Sequence, residues 1–307
     1  MVFFRVAVAA SVVLALRLSS QGPGPHFSDW SEPENLGPAI NSPSQDAGGA
    51  VSKDGLSLYF HSNRPGGLGF PDLYVSQRSN LNEPWGPPIN LGPAVNSTAN
   101  DAGAALSRDE HWLFFHSARD GGFGSLDVYV SYREHTHDDL GWQPAVNVGA
   151  GINTTAVETS AAYFENDETG APQLLFGSNR MGGLGMFDLY VSEMLPDGTF
   201  GPASRIVELS STFSEPGVSI QFNGLEVFFF SGRPPSFGGM DLWTARRETV
   251  LSPWTAPTNL GPVVNSGDTD SQPSIAPNRE TLYFASDRLG SFGGLDLYVT
   301  TRSKQAR

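Results

Sequence analysis

The stretch that decides the fold is "SNRPGGLGFPDLYVSQR", residues 62–78. It returns as "SARDGGFGSLDVYVS", "SNRMGGLGMFDLYVS", "SGRPPSFGGMDLWTA" and "SDRLGSFGGLDLYVT". In every copy Arg follows Ser by two positions, and Asp follows Arg by eight. The pairs are Arg64 and Asp72, Arg119 and Asp127, Arg180 and Asp188, Arg233 and Asp241, and Arg288 and Asp296.

A second motif recurs with the first. It reads "WSEPENLGPAINS" from Trp30, and related copies begin at Trp85, Trp142 and Trp254, with a degraded copy from Phe200. An acid follows each copy, at Asp46, Asp101, Glu158, Glu215 and Asp270. The period is about 55 residues with five copies, which is typical of the blades of a β-propeller.

Each copy predicts four strands, A to D, with A directly after the acid and D starting at the Trp. In the first copy they are expected at 47–52, 56–62, 72–78 and 85–92. We therefore predict an all-β protein, a single five-bladed β-propeller. The chain ends after a strand C, so residues 29–37 are expected to supply the missing strand D and close the last blade. The predicted blades are 46–92, 101–149, 158–207, 215–261 and 270–301 plus 29–37, within a propeller domain at 29–307.

These motifs, above all "LYFHSNRPGGLGFPDLYVS" with "NLGPxxNS" and a following acid, resemble the WD-repeat-like propeller repeats of the TolB type. They are similar in particular to the form found in bacterial envelope proteins. The resemblance covers residues 29–301. It implies an exported binding or scaffolding protein and designates no catalytic residue.

Composition restricts the function. The 307 residues carry 18 Lys and Arg against 32 Asp and Glu, a net charge of -14, which opposes binding to nucleic acid. The chain has no cysteine, so disulfides and thiol catalysis are excluded. No G-x-S-x-G or H-E-x-x-H motif occurs.

The N-terminus predicts export. Arg5 precedes an apolar run at 6–16, a length that suits a signal peptide better than a membrane span. We expect a signal peptide at 1–20, a linker at 21–28, a periplasmic or secreted location, and no membrane span after cleavage.

Repetition in all five blades favours structural roles for the Arg and Asp series. Asp72 is expected to accept backbone N–H groups of the B–C loop, the connection between strands B and C. Arg64 is expected to pair with that Asp or with the acid of an adjacent blade. A five-fold set of ligand sites is the alternative. A phosphate cradle is disfavoured because a strand, and not a helix, follows the loop.

The five acids at the starts of strands A are predicted to lie around the central axis, as a candidate ligand or cation site. Carboxylates this close together need Arg partners, N–H donors or a cation. No cofactor is required, although Ca²⁺ is a possible ligand of such oxygens. The sequence leaves the metal open.

Some residues break the repeat. His61 and His116 share a place on strand B of blades 1 and 2, as a binding pair or as interface histidines. The loop with His135, His137, Asp138 and Asp139 could hold zinc, but a solvated loop is favoured. Phenylalanines in the B–C loops could stack on sugars or cap the blade cores: Phe70, Phe123, Phe187, Phe237 and Phe292.

We therefore expect an exported, non-catalytic propeller that binds or scaffolds an envelope protein or a glycan. Two alternatives stay open. One is a glycoside hydrolase of the five-bladed type, with Glu158 or Glu215 as the acid and Asp46 or Asp101 as base or nucleophile. The other is a multivalent lectin.

Overall fold

In the computed structural model, residues 26–166 and 168–305 are described, and they form a propeller of five four-stranded antiparallel sheets. The signal-peptide prediction lies outside the described residues. The strands from the N-terminal segment and blade 1 are β1 (Glu34–Asn35), β2 (Asp46–Val51), β3 (Ser57–Ser62), β4 (Asp72–Gln77) and β5 (Ile89–Asn90). Blade 2 comprises β6 (Asp101–Leu106), β7 (Trp112–Ser117), β8 (Asp127–Tyr132) and β9 (Val146–Asn147).

Blade 3 comprises β10 (Glu158–Glu165), β11 (Pro172–Ser178), β12 (Asp188–Glu193) and β13 (Ser204–Arg205). Blade 4 comprises β14 (Val218–Ile220), β15 (Glu226–Ser231), β16 (Asp241–Arg246) and β17 (Thr258–Asn259). Blade 5 takes β18 (Asp270–Ile275), β19 (Thr281–Ser286) and β20 (Asp296–Thr301) from the end of the chain.

The N-terminal segment closes the ring, as predicted. Strand β1 pairs with β20, with Glu34 opposite Val299 and Asn35 opposite Tyr298. Two flanking backbone bonds extend the pairing, from Ser31 N to Thr301 O at 2.7 Å and from Leu36 N to Leu297 O at 3.0 Å. Blade 5 is thus built from both ends of the described chain, and its outer strand comes from the N-terminal side.

The hydrophobic core consists of five clusters, each between two neighbouring blades. In the cluster between blades 1 and 2, Tyr59 and Val75 pack with Leu113 and Phe115. The fifth cluster joins the last blade to the first, through Leu58 and Phe60 against Tyr283 and Leu297. Since every sheet buries both faces in this way, strand B can be apolar throughout, as in the fully buried "SLYFHS" of β3.

Strand D is much shorter than predicted. In blade 1 the expected strand spans 85–92, but only Ile89 and Asn90 pair with strand C. Pro87 and Pro88 lie directly before them and have no N–H to donate, so the ladder is interrupted there, and only Gly86 N beyond them donates to strand C, at 2.8 Å from Gln77 O. Short outer strands of this kind also leave little exposed edge for pairing with another chain.

The B–C loops link the blades on one face of the disc. A Cβ atom on Gly69 would lie 1.9 Å from the carbonyl oxygen of Ala99, in the D–A loop that enters blade 2. Gly124, Gly185, Gly238 and Gly293 make the same close approach to the next entering loop. For Gly293 that loop is the one entering blade 1, and a Cβ atom on Gly293 would lie 2.2 Å from Ser44 O. This glycine of the repeat therefore lets backbone pass against backbone.

Among the described residues, no helix is long and apolar enough to cross a bilayer.

The contact that closes the ring is testable with two neighbouring glycines. Gly293→Ala should lower the free energy of unfolding by about 1–3 kcal/mol, because the new methyl group collides with Ser44. Gly294→Ala should change it by less than about 0.5 kcal/mol, since nothing lies within 4 Å of that position. Urea unfolding of both variants measures the difference, and equal effects would contradict this account of the ring closure.

Candidate functional site

The five predicted acids are buried, and each pairs with the Arg of its own blade. Asp46, Asp101, Glu158, Glu215 and Asp270 are 0% exposed. The Arg–carboxylate distances are 2.7, 2.6, 3.2, 2.8 and 2.6 Å in that order. The predicted partners of Arg64 were wrong, because it binds neither Asp72 nor an adjacent blade's acid. Asp46 lies opposite Ser62 in the A–B pairing, so Arg64, two residues further on, folds back onto it.

The acid of blade 2 illustrates the complete set of donors. Asp101 accepts the N–H of Ser97 at 2.6 Å and the Ser97 hydroxyl at 2.7 Å. Arg119 donates to it at 2.6 Å and also to Val95 O at 2.5 Å, in the loop that enters the blade. The Arg119 guanidinium lies 4.8 Å from the centre of the Tyr129 ring. Each Arg–acid pair thus ties the end of the B strand to the loop before strand A.

The second acidic series organises the B–C loop, as predicted for Asp72. Its carboxylate accepts the N–H groups of Leu68 and Gly69 and the side-chain amide of Asn90 on strand D. In blade 5 the corresponding amide is that of Asn35, from the closing segment, 2.9 Å from Asp296.

Blade 3 departs from this arrangement because the sequence of its strand D diverges from the repeat. Arg205 stands where the other blades have Asn, and Asp188 Oδ1 is buried without a hydrogen-bond partner. Arg205 instead donates to Gly182 O at 3.3 Å. The missing Asn therefore weakens the connection between loop and strand D in this blade.

His61 and His116 lie at the junctions between consecutive blades. His61 Nδ1 accepts the N–H of Gly103 at 3.4 Å, and His116 Nδ1 accepts that of Ser160 at 3.3 Å. Burial lowers the pKa of His61 to about 3, with a further contribution from nearby His116. Burial lowers the pKa of His116 to about 4, against the opposing effect of Asp101. Both rings are neutral hydrogen-bond acceptors at neutral pH.

The central channel offers little space. Small residues of the A strands, among them Gly48, Ala104 and Ser160, line a cavity of about 50 Å³. That volume suits a water molecule or two and not a sugar ring. A glycan that reaches this site must therefore lie on the surface of the disc, above the buried acids.

A larger cavity, about 440 Å³, lies on the opposite face between blades 1 and 2. Asp139 reaches into it and accepts hydrogen bonds from Ser57, Tyr59, Gln77 and Arg133. Burial raises the pKa of Asp139, but these hydrogen bonds outweigh burial and keep the pKa below its ordinary value. The prediction that this loop is solvated was therefore wrong for Asp139, which is 7% exposed and connects the two blades.

Sequence reasoning also missed a cation–π pair on that face. The Arg after strand C stacks on the Trp before strand D, with Arg78 4.2 Å from the Trp85 ring centre and Arg133 4.6 Å from that of Trp142. In blade 5, Arg302 stacks on Trp30 of the closing segment at 4.5 Å. The regular occurrence of an Arg shortly before the Trp in the repeat could have predicted this pair.

In the part of the chain that the structure describes, no three His, Asp or Glu side chains are grouped as ligands of one metal ion. The His and Asp side chains at 135–139, for which zinc was the less favoured reading, do not form such a group.

No protein-family model and no curated protein matches the chain. Solved structures share the fold. The catalytic domain of a GH62 α-L-arabinofuranosidase from Coprinopsis cinerea has 13% identity and a TM-score of 0.58, over 91% of this chain and 98% of that one. A GH43 endo-arabinanase from Bacillus licheniformis has 11% identity and a TM-score of 0.53, over 84% and 94%. A candidate TolB from Agrobacterium tumefaciens has 13% identity and a TM-score of 0.50, over 92% and 100%.

These similarities correct the expected function. A non-catalytic binding or scaffolding module was the main prediction, and it is contradicted because the structural neighbours include several glycoside hydrolases. At these identities the likeness itself shows the five-bladed fold, and the TolB-type assignment is not confirmed.

The two histidines predict a pH dependence of stability. Their pKa values are lower in the folded protein than in the unfolded chain, so between about pH 6.5 and their folded values the unfolded state binds more protons. Their contribution is complete above pH 6.5 and is lost as the pH falls toward 4 and 3.

A variant with His61→Asn and His116→Asn keeps an acceptor at both places and cannot take up these protons. Its unfolding free energy should fall less steeply than that of the wild type between pH 6.5 and 4, measured by urea titration. His137→Asn, at an exposed loop position, is the control. Parallel pH curves for the wild type and the double variant would refute this role.

Proposed function

We propose that the chain is a glycoside hydrolase of the five-bladed propeller type, and that its substrate lies on the face of the D–A and B–C loops. The observation that supports this most is the fold similarity to an α-L-arabinofuranosidase and an endo-arabinanase, which extends over most of the length of both chains. The present chain has five blades, with a buried carboxylate at the start of strand A in four of them and three residues before it in blade 4. Arabinan and arabinoxylan are therefore the first substrates to test.

Hydrolysis of a glycosidic bond needs one carboxylic acid to protonate the leaving oxygen and a second, ionised carboxylate. Of the five axial acids, Glu158 is held most loosely by its arginine, with 3.2 Å to Arg180 against 2.6–2.8 Å in the other blades. Glu158 also has one methylene more than the Asp acids, which extends its reach. We assign the proton donor to Glu158, and to act it must leave its contacts with Arg180, Ser178 and Thr154.

Asp101 and Asp46 are the proposed carboxylate partners, in the blades that precede Glu158 along the chain. Both contact their Arg at short distances, 2.6 and 2.7 Å. These short contacts hold the two Asp carboxylates in fixed positions, which suits a base or nucleophile.

Several finer assignments belong to this proposal. Export to the periplasm or the medium would bring the enzyme to a polysaccharide substrate. A TolB-type origin of the repeats is compatible with hydrolysis, because one fold supports unrelated activities. The reaction needs no cofactor, and Ca²⁺ at the axial acids is a separate proposal that assays with and without added calcium can decide.

The decisive experiment compares Glu158→Gln with Glu215→Gln. Both residues occupy the same place in the repeat and accept hydrogen bonds from an Arg and two Ser or Thr hydroxyls. Release of reducing sugar from arabinan and arabinoxylan should fall about 10²–10⁴-fold in Glu158→Gln, because the amide of Gln is not acidic enough to protonate the leaving oxygen. Glu215→Gln should retain most of the activity.

Thermal unfolding of both variants controls for the shared structural contacts. Similar losses of stability with a selective loss of activity would support the assignment. Equal activities in the two variants would overturn the role of Glu158. A wild-type protein that releases no sugar from either polysaccharide would overturn the proposed hydrolase.

A further inference from the structure

Five apolar side chains form a regular set on the B–C loops, which we call the apolar ring. Each member lies four residues before the loop Asp, and the members are Leu68, Phe123, Leu184, Phe237 and Phe292. Their exposed fractions are 48%, 49%, 50%, 50% and 51%. A value so uniform over five different loops shows that the fold holds one half of each side chain in solvent.

The ring positions are rigid. The N–H of every member donates to the Asp four residues later, for example at 2.8 Å from Phe237 to Asp241 and from Phe292 to Asp296. The next residue is the glycine that packs on the neighbouring blade's entering loop. A ligand that contacts these side chains would not need to order the loops first, so little entropy is lost on binding.

Further exposed apolar residues widen this surface on the same face. Phe70, Met181, Met186 and Leu289 belong to B–C loops and are 69%, 100%, 77% and 101% exposed. Phe213, in the loop that enters blade 4, is 43% exposed. A soluble protein rarely exposes this much large apolar surface on one side without a ligand for it.

We propose that the apolar ring is a multipoint binding platform for the chain of a neutral polysaccharide. Three of the five members are Phe, and a flat aromatic ring fits the C–H face of a sugar while the sugar's hydroxyl groups remain in water. The inference rests on the proposed function only for the face on which the glycan lies, and it does not require hydrolysis.

Charge selects a neutral polymer over an anionic one. The five Arg of the repeat on this face are committed to the buried acids, and their side chains are only 11–18% exposed. A sixth, Arg205, donates to Gly182 O. Exposed acids lie in the B–C loops at Asp120 and Asp287 and in the loop entering blade 5 at Asp268. With a net charge of -14, this face would repel acidic polysaccharides and anionic lipid surfaces.

Repetition around the disc selects a polymer over a single sugar. One half-exposed Phe binds a sugar weakly. When one member of the ring holds a polysaccharide chain, however, the next sugars of that chain are at a high local concentration near the other members, so the overall affinity rises. Retention on a polysaccharide should therefore greatly exceed the affinity for a trisaccharide of the same sugars.

The test is affinity electrophoresis in native gels that contain arabinoxylan, with polygalacturonate as the anionic comparison. The triple variant Phe123→Ala, Phe237→Ala and Phe292→Ala should lose retention by arabinoxylan by about tenfold or more. Leu251→Ala is the matched control, because Leu251 is an apolar residue 69% exposed on a C–D loop of the opposite face. That control should be retained like the wild type, and polygalacturonate should retain none of the proteins.

Equal retention of the wild type and the triple variant, with unchanged thermal unfolding, would overturn the proposal. Self-association of the wild type in light scattering that the triple variant loses, without retention by arabinoxylan, would also overturn it and assign the ring to a second copy. The proposed hydrolase is judged separately. Glu158→Gln should be retained by arabinoxylan like the wild type although its release of sugar is impaired, and Leu251→Ala should cleave a short chromogenic arabinofuranoside like the wild type.

Discussion

The structure depends on a buried ion pair that is repeated once per blade. An Arg at the end of strand B reaches back to the acid that begins strand A and to a carbonyl of the loop that enters the blade. A buried carboxylate is costly unless it is paired and fully hydrogen-bonded, and here the Ser or Thr four residues earlier supplies the remaining donors. The pair therefore fixes where each blade begins, in a protein that has no disulfide.

This constraint also shapes the candidate site. Because each Arg also binds a carbonyl of the loop that enters its blade, the surface above the pairs is built from the B–C and entering loops. Those loops are anchored by the second Asp series and pack against the next blade through a glycine. The same contacts that hold the acids in place present the apolar ring to solvent. The repeat thus places its carboxylates inside the blades and its Leu and Phe side chains on the surface.

The repeat predicted most of the fold because equivalent residues recur at a fixed spacing, and the unmatched Trp30 segment revealed how the ring closes. Spacing does not reveal contacts, which is why the partner of Arg64 was assigned wrongly and the pairing of Arg302 with Trp30 was not seen. Asp139 was missed for another reason, since it occurs in one blade and becomes buried only because the loop folds over blade 1. Function was least predictable, because a five-fold acid series looks the same whether it supports the fold or performs chemistry.

The central claim is that the buried Arg–acid pair is one energetic unit, and a double-mutant cycle on blade 2 tests it most directly. Arg119→Met leaves Asp101 charged, buried and without its cation, and should destabilise the protein by about 3–5 kcal/mol. Adding Asp101→Asn should recover part of that loss, because the amide carries no charge to compensate. The account predicts a double variant that is more stable in urea than Arg119→Met alone. A double variant whose destabilisation equals the sum of the two single effects would contradict it.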